Sequence, residues 1–349
     1  MTLNDTRPIL VTGAGGFIGG HVARELASRG DSVRGFCRTI PPVEAGDPPI
    51  SWIVGDLRDE EDVRRGVEGV QAIVHTAGWV DLGRDPQGLA KSINVDATRA
   101  LLSLGERAGV ERFVYTSTLW TVAAGTSERP ADEDSLWDLE IIRSPYSESK
   151  REAERLVLDR NGERLKTMVL CPSLVIGRRD RRPTSTKLLL TLARHPLVFL
   201  PNGGIPIADV RVVARAHAEA LIRGDGGKRY VIAGPYVSYR ELARLVAKLA
   251  GNPKMIVPLA DWIRRPLLAI VDRFGLQGEV SRATVGGGFL RLNVSGARAD
   301  RAFDLIHPPL SQSLFETLED HRRSSRAPWL QLAPEDSVLD GPAKDGRAG

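Results

Sequence analysis

Cysteine is scarce in this chain of 349 residues: there are two, Cys37 and Cys171, without the paired spacing of a metal knuckle. That excludes a disulfide framework and a cysteine-based zinc site, and it fits a reducing compartment, with the cytoplasm as the expectation. Long apolar runs are missing as well, and no stretch reaches the length that spans a bilayer. The first residues, MTLNDTRPIL, lack a basic start followed by an apolar run, so no signal peptide is read there. Concentrated charge is also absent. The net charge is +4, the arginines are scattered, and no basic motif is interleaved with aromatics, which argues against a nucleic-acid partner. The hydrophobic fraction of 42% and charged fraction of 26% are ordinary for a globular protein and name no function.

What is present is a repeated alternation of strand and helix. Ile9 to Thr12 is a short apolar run ending in glycines, and Phe17 to Arg29 follows with Phe17, Ile18, Val22 and Leu26 at helical spacing. Strands are expected at Ser32–Cys37, Ile50–Val54, Ala72–His75 and Arg112–Thr116, with helices at Glu60–Gly66 and Val95–Ala108 between them. A helix at Tyr146–Asp159 and a strand at Thr167–Leu170 continue the pattern. Such alternation specifies an α/β fold with a doubly wound parallel sheet flanked by helices. The second half is looser: a basic loop at Gly177–Pro183, a helix at Lys187–Arg194, a glycine-proline turn at Pro201–Pro206, a strand at Tyr230–Ile232 and a helix at Tyr239–Leu249. It reads as a smaller mixed α/β region. Asp261–Gly275, DWIRRPLLAIVDRFG, mixes apolar residues with Arg264, Arg265 and Arg273 as an interfacial helix does. Pro266 inside it favours a core-facing helix instead.

Two motifs carry chemistry. TGAGGFIG, from Thr12 to Gly19, sets Gly13, Gly16 and Gly19 at a strand-to-helix junction. Glycine there permits a tight turn and close approach to a pyrophosphate, while the helix N-terminus offers free N–H groups and a positive dipole end. The end of the second strand, where a carboxylate binds the ribose of NAD, carries Cys37 and Arg38. A guanidinium suits a 2′-phosphate, so NADP(H) is favoured over NAD(H). Asp56 and Leu57, after the third strand, suit an adenine.

The second motif is Tyr146-Ser-Glu-Ser-Lys150, two reactive groups four apart on one helix face, with Pro145 fitting the first turn. Lowering a tyrosine pKa from ~10 to ~7 requires about 4 kcal/mol. A lysine ammonium ~6 Å away at an effective dielectric of ~20 supplies roughly 2.8 kcal/mol, so most of the tuning is expected from Lys150 and the rest from bound cofactor. Thr118, with Ser117 in reserve, is the candidate second hydroxyl to hold a carbonyl oxygen.

With these motifs joined by Gly55-Asp56-Leu57, His75-Thr-Ala-Gly78, Asn94-Val95 with Thr98, and Tyr115-Thr-Ser-Thr118, the chain resembles the extended short-chain dehydrogenase/reductase family from Ile9 to about Leu318. It is most similar to bacterial dihydroflavonol-reductase-like proteins and hopanoid-associated sugar epimerases, through Pro172–Thr186 and Pro201–His217. The resemblance implies a Rossmann domain over 1–175 and a substrate region over 176–330 in which 205–235 returns to the main sheet, while the polar end of the chain, rich in Asp, Gly and Pro, reads as a disordered tail over 331–349. It implies Tyr146 as acid/base, Lys150 on the nicotinamide ribose, Thr118 where relatives carry serine, and a cofactor lined by Gly13, Gly16, Phe17, Ile18, Gly19, Ala77, Gly78, Pro172 and Ser173. Val212 stands where many relatives have aspartate. Trp79, Trp120, Ser117 and Arg182 are the candidate substrate residues, with a small molecule, flat and hydrophobic, as the expected partner. A homodimer is implied by family likeness. Hydride transfer between NADPH and a ketone is the favoured chemistry; nucleotide-sugar epimerisation or dehydration is the alternative, and a non-catalytic dinucleotide-binding sensor or scaffold is the alternative of another class.

Overall fold

The computed structural model describes residues 7–183, 186–324 and 326–334. Of the disordered tail expected over 331–349, residues 335–349 lie outside them, whereas 331–334 are described and held: Ala333 N–H donates to Leu249 O at 2.8 Å, and Leu332 and Ala333 pack against the core. The first half alternates strand and helix in the expected order: β1 (Ile9–Thr12), α1 (Phe17–Ser28), β2 (Val33–Cys37), β3 (Ser51–Val54), α2 (Glu60–Val67), β4 (Ala72–His75), α3 (Ala97–Arg107), β5 (Arg112–Thr116), α4 (Pro145–Asp159) and β6 (Lys166–Pro172). The second half contains β7 (Leu174–Ile176), α5 (Thr186–Arg194), β8 (Leu197–Pro201), β9 (Gly204–Asp209), α6 (Val210–Arg223), β10 (Lys228–Ile232), β11 (Tyr236–Ser238) and α7 (Tyr239–Leu249). It ends with β12 (Met255–Leu259), α8 (Arg264–Phe274), α9 (Arg282–Gly288), α10 (Ala297–Phe303) and α11 (Leu310–Arg323).

Seven strands form one parallel sheet in the order β10-β6-β5-β4-β1-β2-β3. Strand alternation divides its side chains between two cores. Leu10, Ile73, Phe113, Tyr115, Val169 and Val231 face one side, with α2, α3 and α4. Ile9, Val11, Val74, Val114, Leu170 and Ile232 face the other, with α1, α6 and α10. A sheet buried on both faces has to be apolar at successive positions, and β1 and β4 are buried throughout. The order reverses between β1 and β4, where doubly wound sheets open a crevice at their carboxyl ends. Val212 packs in the second core, so the side chain expected to weaken an ion pair contributes apolar contact.

Within 205–235, β10 joins the main sheet, whereas β9 pairs with β7 and β11 in a separate three-stranded sheet. The turn expected over Pro201–Pro206 is instead the junction of β8 and β9. Packing outweighs turn chemistry there: Gly204 exchanges backbone hydrogen bonds with Leu290 and Leu292, leaving Asn202 and Gly203 as the link. The helix expected from Val95 begins earlier, as a π-helical stretch at Ala90–Asp96 that buries Asn94. The core-facing expectation for Asp261–Gly275 is corrected. Val271 is the one buried residue of α8, while Trp262 and Phe274 are 75% and 71% exposed. Pro266 is the third residue of α8, within the first turn, where the missing N–H costs no helical bond.

Candidate active site

The turn between β1 and α1 is closed by Gly16 N–H donating to Gly13 O at 2.8 Å. Gly13 has a φ of 70°, and a Cβ on it would lie 2.8 Å from Ala77 N. A Cβ on Gly19 would run into Gly13 O and the Thr76 hydroxyl. The glycines therefore let the β1–α1 turn, the first turn of α1 and the segment after β4 approach one another closely. No side chain caps α1 at Gly16, so its first N–H groups remain for an anion, and Phe17 and Ile18 are half-buried against the core beside them. These residues fit a dinucleotide pyrophosphate. Gly19→Ala is expected to cost about 1–3 kcal/mol of stability by overpacking and to weaken dinucleotide binding together with it. Thermal melting with a nucleotide titration checks this, and an unchanged variant would contradict the close approach.

Segment 37–39 lies against this turn: a Cβ on Gly15 would meet Thr39 O at 3.0 Å and the Cys37 Cβ at 3.1 Å. Arg38 is exposed and makes no hydrogen bond or ion pair among the described residues, so its guanidinium is open to a phosphate. Asp56 is already engaged. Arg58 binds it, with Nη2 to Oδ2 at 2.6 Å, and holds its carboxyl down at about 2, and Leu57 is buried in the core.

Ala77 and Gly78 follow β4. Asn94 fixes their loop by accepting from Trp79 N–H at 2.7 Å and donating to Trp79 O at 3.1 Å and the Ser149 hydroxyl at 2.9 Å. This ties the π-helical stretch to α4 and brings Gly78 near Lys150, whose Nζ would lie 3.6 Å from a Cβ there. Pro172 ends β6, and next to it the Ser173 hydroxyl is buried without a partner among the described residues. An orphaned hydroxyl at the carboxyl end of a strand in this crevice fits a bound polar group.

Ser144 caps α4 in a reciprocal bond with Ser147, and Pro145 occupies the first helical position as expected. Tyr146 is buried beside Thr118, and burial, outweighing the influence of that hydroxyl, pushes its own hydroxyl up to about 12. Lys150 is buried too. Its Nζ donates to Thr116 O at 2.6 Å and lies 4.3 Å over the Tyr115 ring, and burial lowers it to about 8 against the attraction of Glu154. The lysine tuning expected from spacing is thus not expressed in the protein alone. Desolvation dominates, and the ammonium is turned to a backbone carbonyl. Ser117 directs its hydroxyl to Thr121 at 3.4 Å, whereas Thr118 meets Tyr146.

Beneath Lys150, the Glu154 carboxylate accepts from Thr121 and pairs with Arg229 Nε at 3.3 Å. Glu154 lies one further turn along the face carrying Tyr146 and Lys150, a spacing visible in the sequence, but its partner on β10 is not. His217 Nδ1–H donates to Val213 O at 2.7 Å, leaving Nε2 to accept from the Thr116 hydroxyl at 2.7 Å. His75 is wedged similarly: Thr98 donates to Asn94 O, so it accepts from Nε2–H at 2.9 Å, and Nδ1 accepts from Thr12 at 2.7 Å. Both imidazoles are neutral and spoken for.

Trp120 rests on Gly287 of α9, Ile141 on Gly286, and Trp137 Nε1–H donates to Trp120 O at 3.1 Å. These form an apolar wall beside Thr118. Arg182 is exposed elsewhere: the ion pairs and hydrogen bonds of its loop run from Arg179 and Arg181 to Glu44 and Asp47, and from Arg179 to Asp320 on α11.

The family model described as NAD dependent epimerase/dehydratase family matches residues 9–233. A protein named for dihydroflavonol 4-reductase from Synechocystis sp. is 32% identical over 75% of this chain and 80% of its own length. A 3-beta-hydroxysteroid dehydrogenase from Mycolicibacterium neoaurum is 32% identical over 71% of each chain. Among solved structures, gox2253 superposes with a TM-score of 0.79 at 28% identity, covering 92% of this chain and 99% of its own. MoeE5, in complex with UDP-glucuronic acid and NAD, superposes with a TM-score of 0.73 at 25% identity over 91% and 99%.

Proposed function

The chain belongs to the NAD dependent epimerase/dehydratase family, and from that premise we propose that it is an oxidoreductase passing hydride between NADPH and a ketone or alcohol of an apolar, ring-containing substrate. The observation that supports this reading is Tyr146, buried beside Thr118, on the same face of α4 as Lys150, whose Nζ lies near Gly78. The dinucleotide, when bound, supplies the hydride. Gly13, Gly16 and Gly19 would admit its pyrophosphate, Ser173 would offer its free hydroxyl, and Lys150 would turn from Thr116 O to the ribose. Thr118 and Tyr146 hold the substrate oxygen as negative charge grows on it, and Tyr146 delivers its phenolic proton there. A hydroxyl held protonated by burial suits that donor role. Trp120 and Ile141, propped by Gly287 and Gly286, exclude water from the substrate side.

Arg38 supports NADPH over NADH. Arg38→Ala is expected to weaken NADPH about 10-fold or more, by loss of a charge-assisted contact of ~1.5–3 kcal/mol, and to leave NADH untouched. Nucleotide titration checks it; equal loss of both would remove Arg38 from the 2′-phosphate site. The reaction itself is tested by following nicotinamide absorbance with NADPH or NADH against sterol-like, flavonoid-like and simple ketones. MoeE5, solved with a nucleotide sugar and NAD, supports epimerisation or dehydration as the second reading. Purified protein that retains NAD tightly and turns over no ketone would favour it.

A further inference from the structure

We propose that α8 and the turn before it form a docking surface for an anionic phospholipid bilayer. Trp262, Pro266, Ile270 and Phe274 recur at intervals of four, so they line one stripe of the segment, and all four are exposed. Trp262 is 75%, Ile270 48% and Phe274 71% exposed, and the apolar surface continues through Leu276 and Val280. Arg265 and Arg273 stand one position away, separated by Ala269, so a basic row runs beside the apolar one.

Charge decides the occupant. Arg265 and Arg273 are exposed, Arg264 is half-buried, and none of the three guanidinium groups makes a hydrogen bond or ion pair among the described residues. Asp272 is neutralised by Arg282, leaving Asp261 as the one unpaired acid between 261 and 274. A second copy of this chain would set these arginines against each other, whereas an anionic headgroup layer complements them and accepts the apolar stripe below. An indole at the end of such a stripe suits the boundary between acyl chain and water. With 11 residues, α8 is ~16 Å long, about half a hydrocarbon core, so it lies in the surface and does not cross. No helix among the described residues is long and apolar enough to span.

Behind the surface, α8 packs on α9, whose Gly286 and Gly287 support Ile141 and Trp120. Docking would set the wall of the candidate substrate site next to the lipid, a delivery route for an apolar substrate; that last step rests on the proposed function, and the docking does not.

The test is co-sedimentation of the full chain with vesicles of phosphatidylcholine alone and of phosphatidylcholine with phosphatidylglycerol, at low and high salt. The expected result is pelleting with the anionic vesicles, weakened by salt, and reduced about tenfold or more in both Trp262→Ala/Phe274→Ala and Arg265→Glu/Arg273→Glu. NADPH binding and melting temperature of each variant, expected unchanged, separate lost docking from lost folding. Wild-type protein left in the supernatant, or variants that pellet as well as wild type, would overturn the proposal. So would a wild-type dimer by equilibrium sedimentation that the apolar substitutions dissolve, since the face would then belong to a second copy. NADPH binding without vesicle binding would sink the docking and leave the proposed function standing.

Discussion

Tyr146→Phe is expected to lower turnover by about 10²–10⁴-fold, the usual contribution of a positioned general acid, while dinucleotide affinity stays nearly unchanged. The substitution removes one oxygen, next to Thr118, and leaves the ring packed in the same buried site. Stopped-flow or steady-state reduction, paired with a nucleotide titration, separates the two effects; equal loss in both would end the proton-donor role. The pH profile adds a sign. Burial keeps Tyr146 protonated up to about 12, so it remains a donor throughout the neutral and mildly alkaline range. Lys150, lowered to about 8, loses its charge first. Because kcat/KM reports the free enzyme, its alkaline limb for reduction should fall near pH 8 and be moved by substitution of Lys150. A limb appearing only above pH 10 would mean that the lysine charge is not needed.

Acid is expected to unfold this protein steeply. Burial depresses His75 to about 3 and His217 to about 4, against 6.5 in an open chain. Between these values the unfolded state binds more protons, so stability present above pH 6.5 is lost as pH falls toward 4. Each histidine contributes a slope approaching ~1.4 kcal/mol per pH unit, so the pair removes about 4 kcal/mol between pH 6 and 4.5. That is a large part of the ~5–15 kcal/mol typical of a domain. The geometry forbids an easy escape, since both nitrogens of each ring already have partners that suit the neutral form. Urea titrations at pH 7.5, 6 and 5 would show it, and His217→Gln should flatten the slope. A free energy constant across that range would refute the assignment of both rings as neutral.

Most of the Rossmann half was legible because its signals are local. β1, β4 and β5 begin and end where the expected runs do, and the helix carrying Tyr146 and Lys150 starts at the proline that precedes them. What the sequence hid depends on distant partners. Nothing near Lys150 indicates that Thr116 O would take its ammonium, that Arg229 from β10 would pair with Glu154, or that Asn94 would stitch Trp79 to Ser149. The same limit explains α8. Its pattern of apolar residues and arginines is compatible with a core face or an outer face, and only the arrangement of α9 decides which side is covered.

The Thr116 hydrogen bonds also order events in time. Its carbonyl holds Lys150 from 34 residues downstream, while its hydroxyl is held by His217, separated from it by 101. A nascent chain therefore releases the cradle, the tyrosine and the lysine well before the helix that steadies the strand end between them. During synthesis the candidate site is expected to pass through an interval in which Tyr146 and Lys150 exist without that support, which arrives when α6 docks on the rear of the sheet.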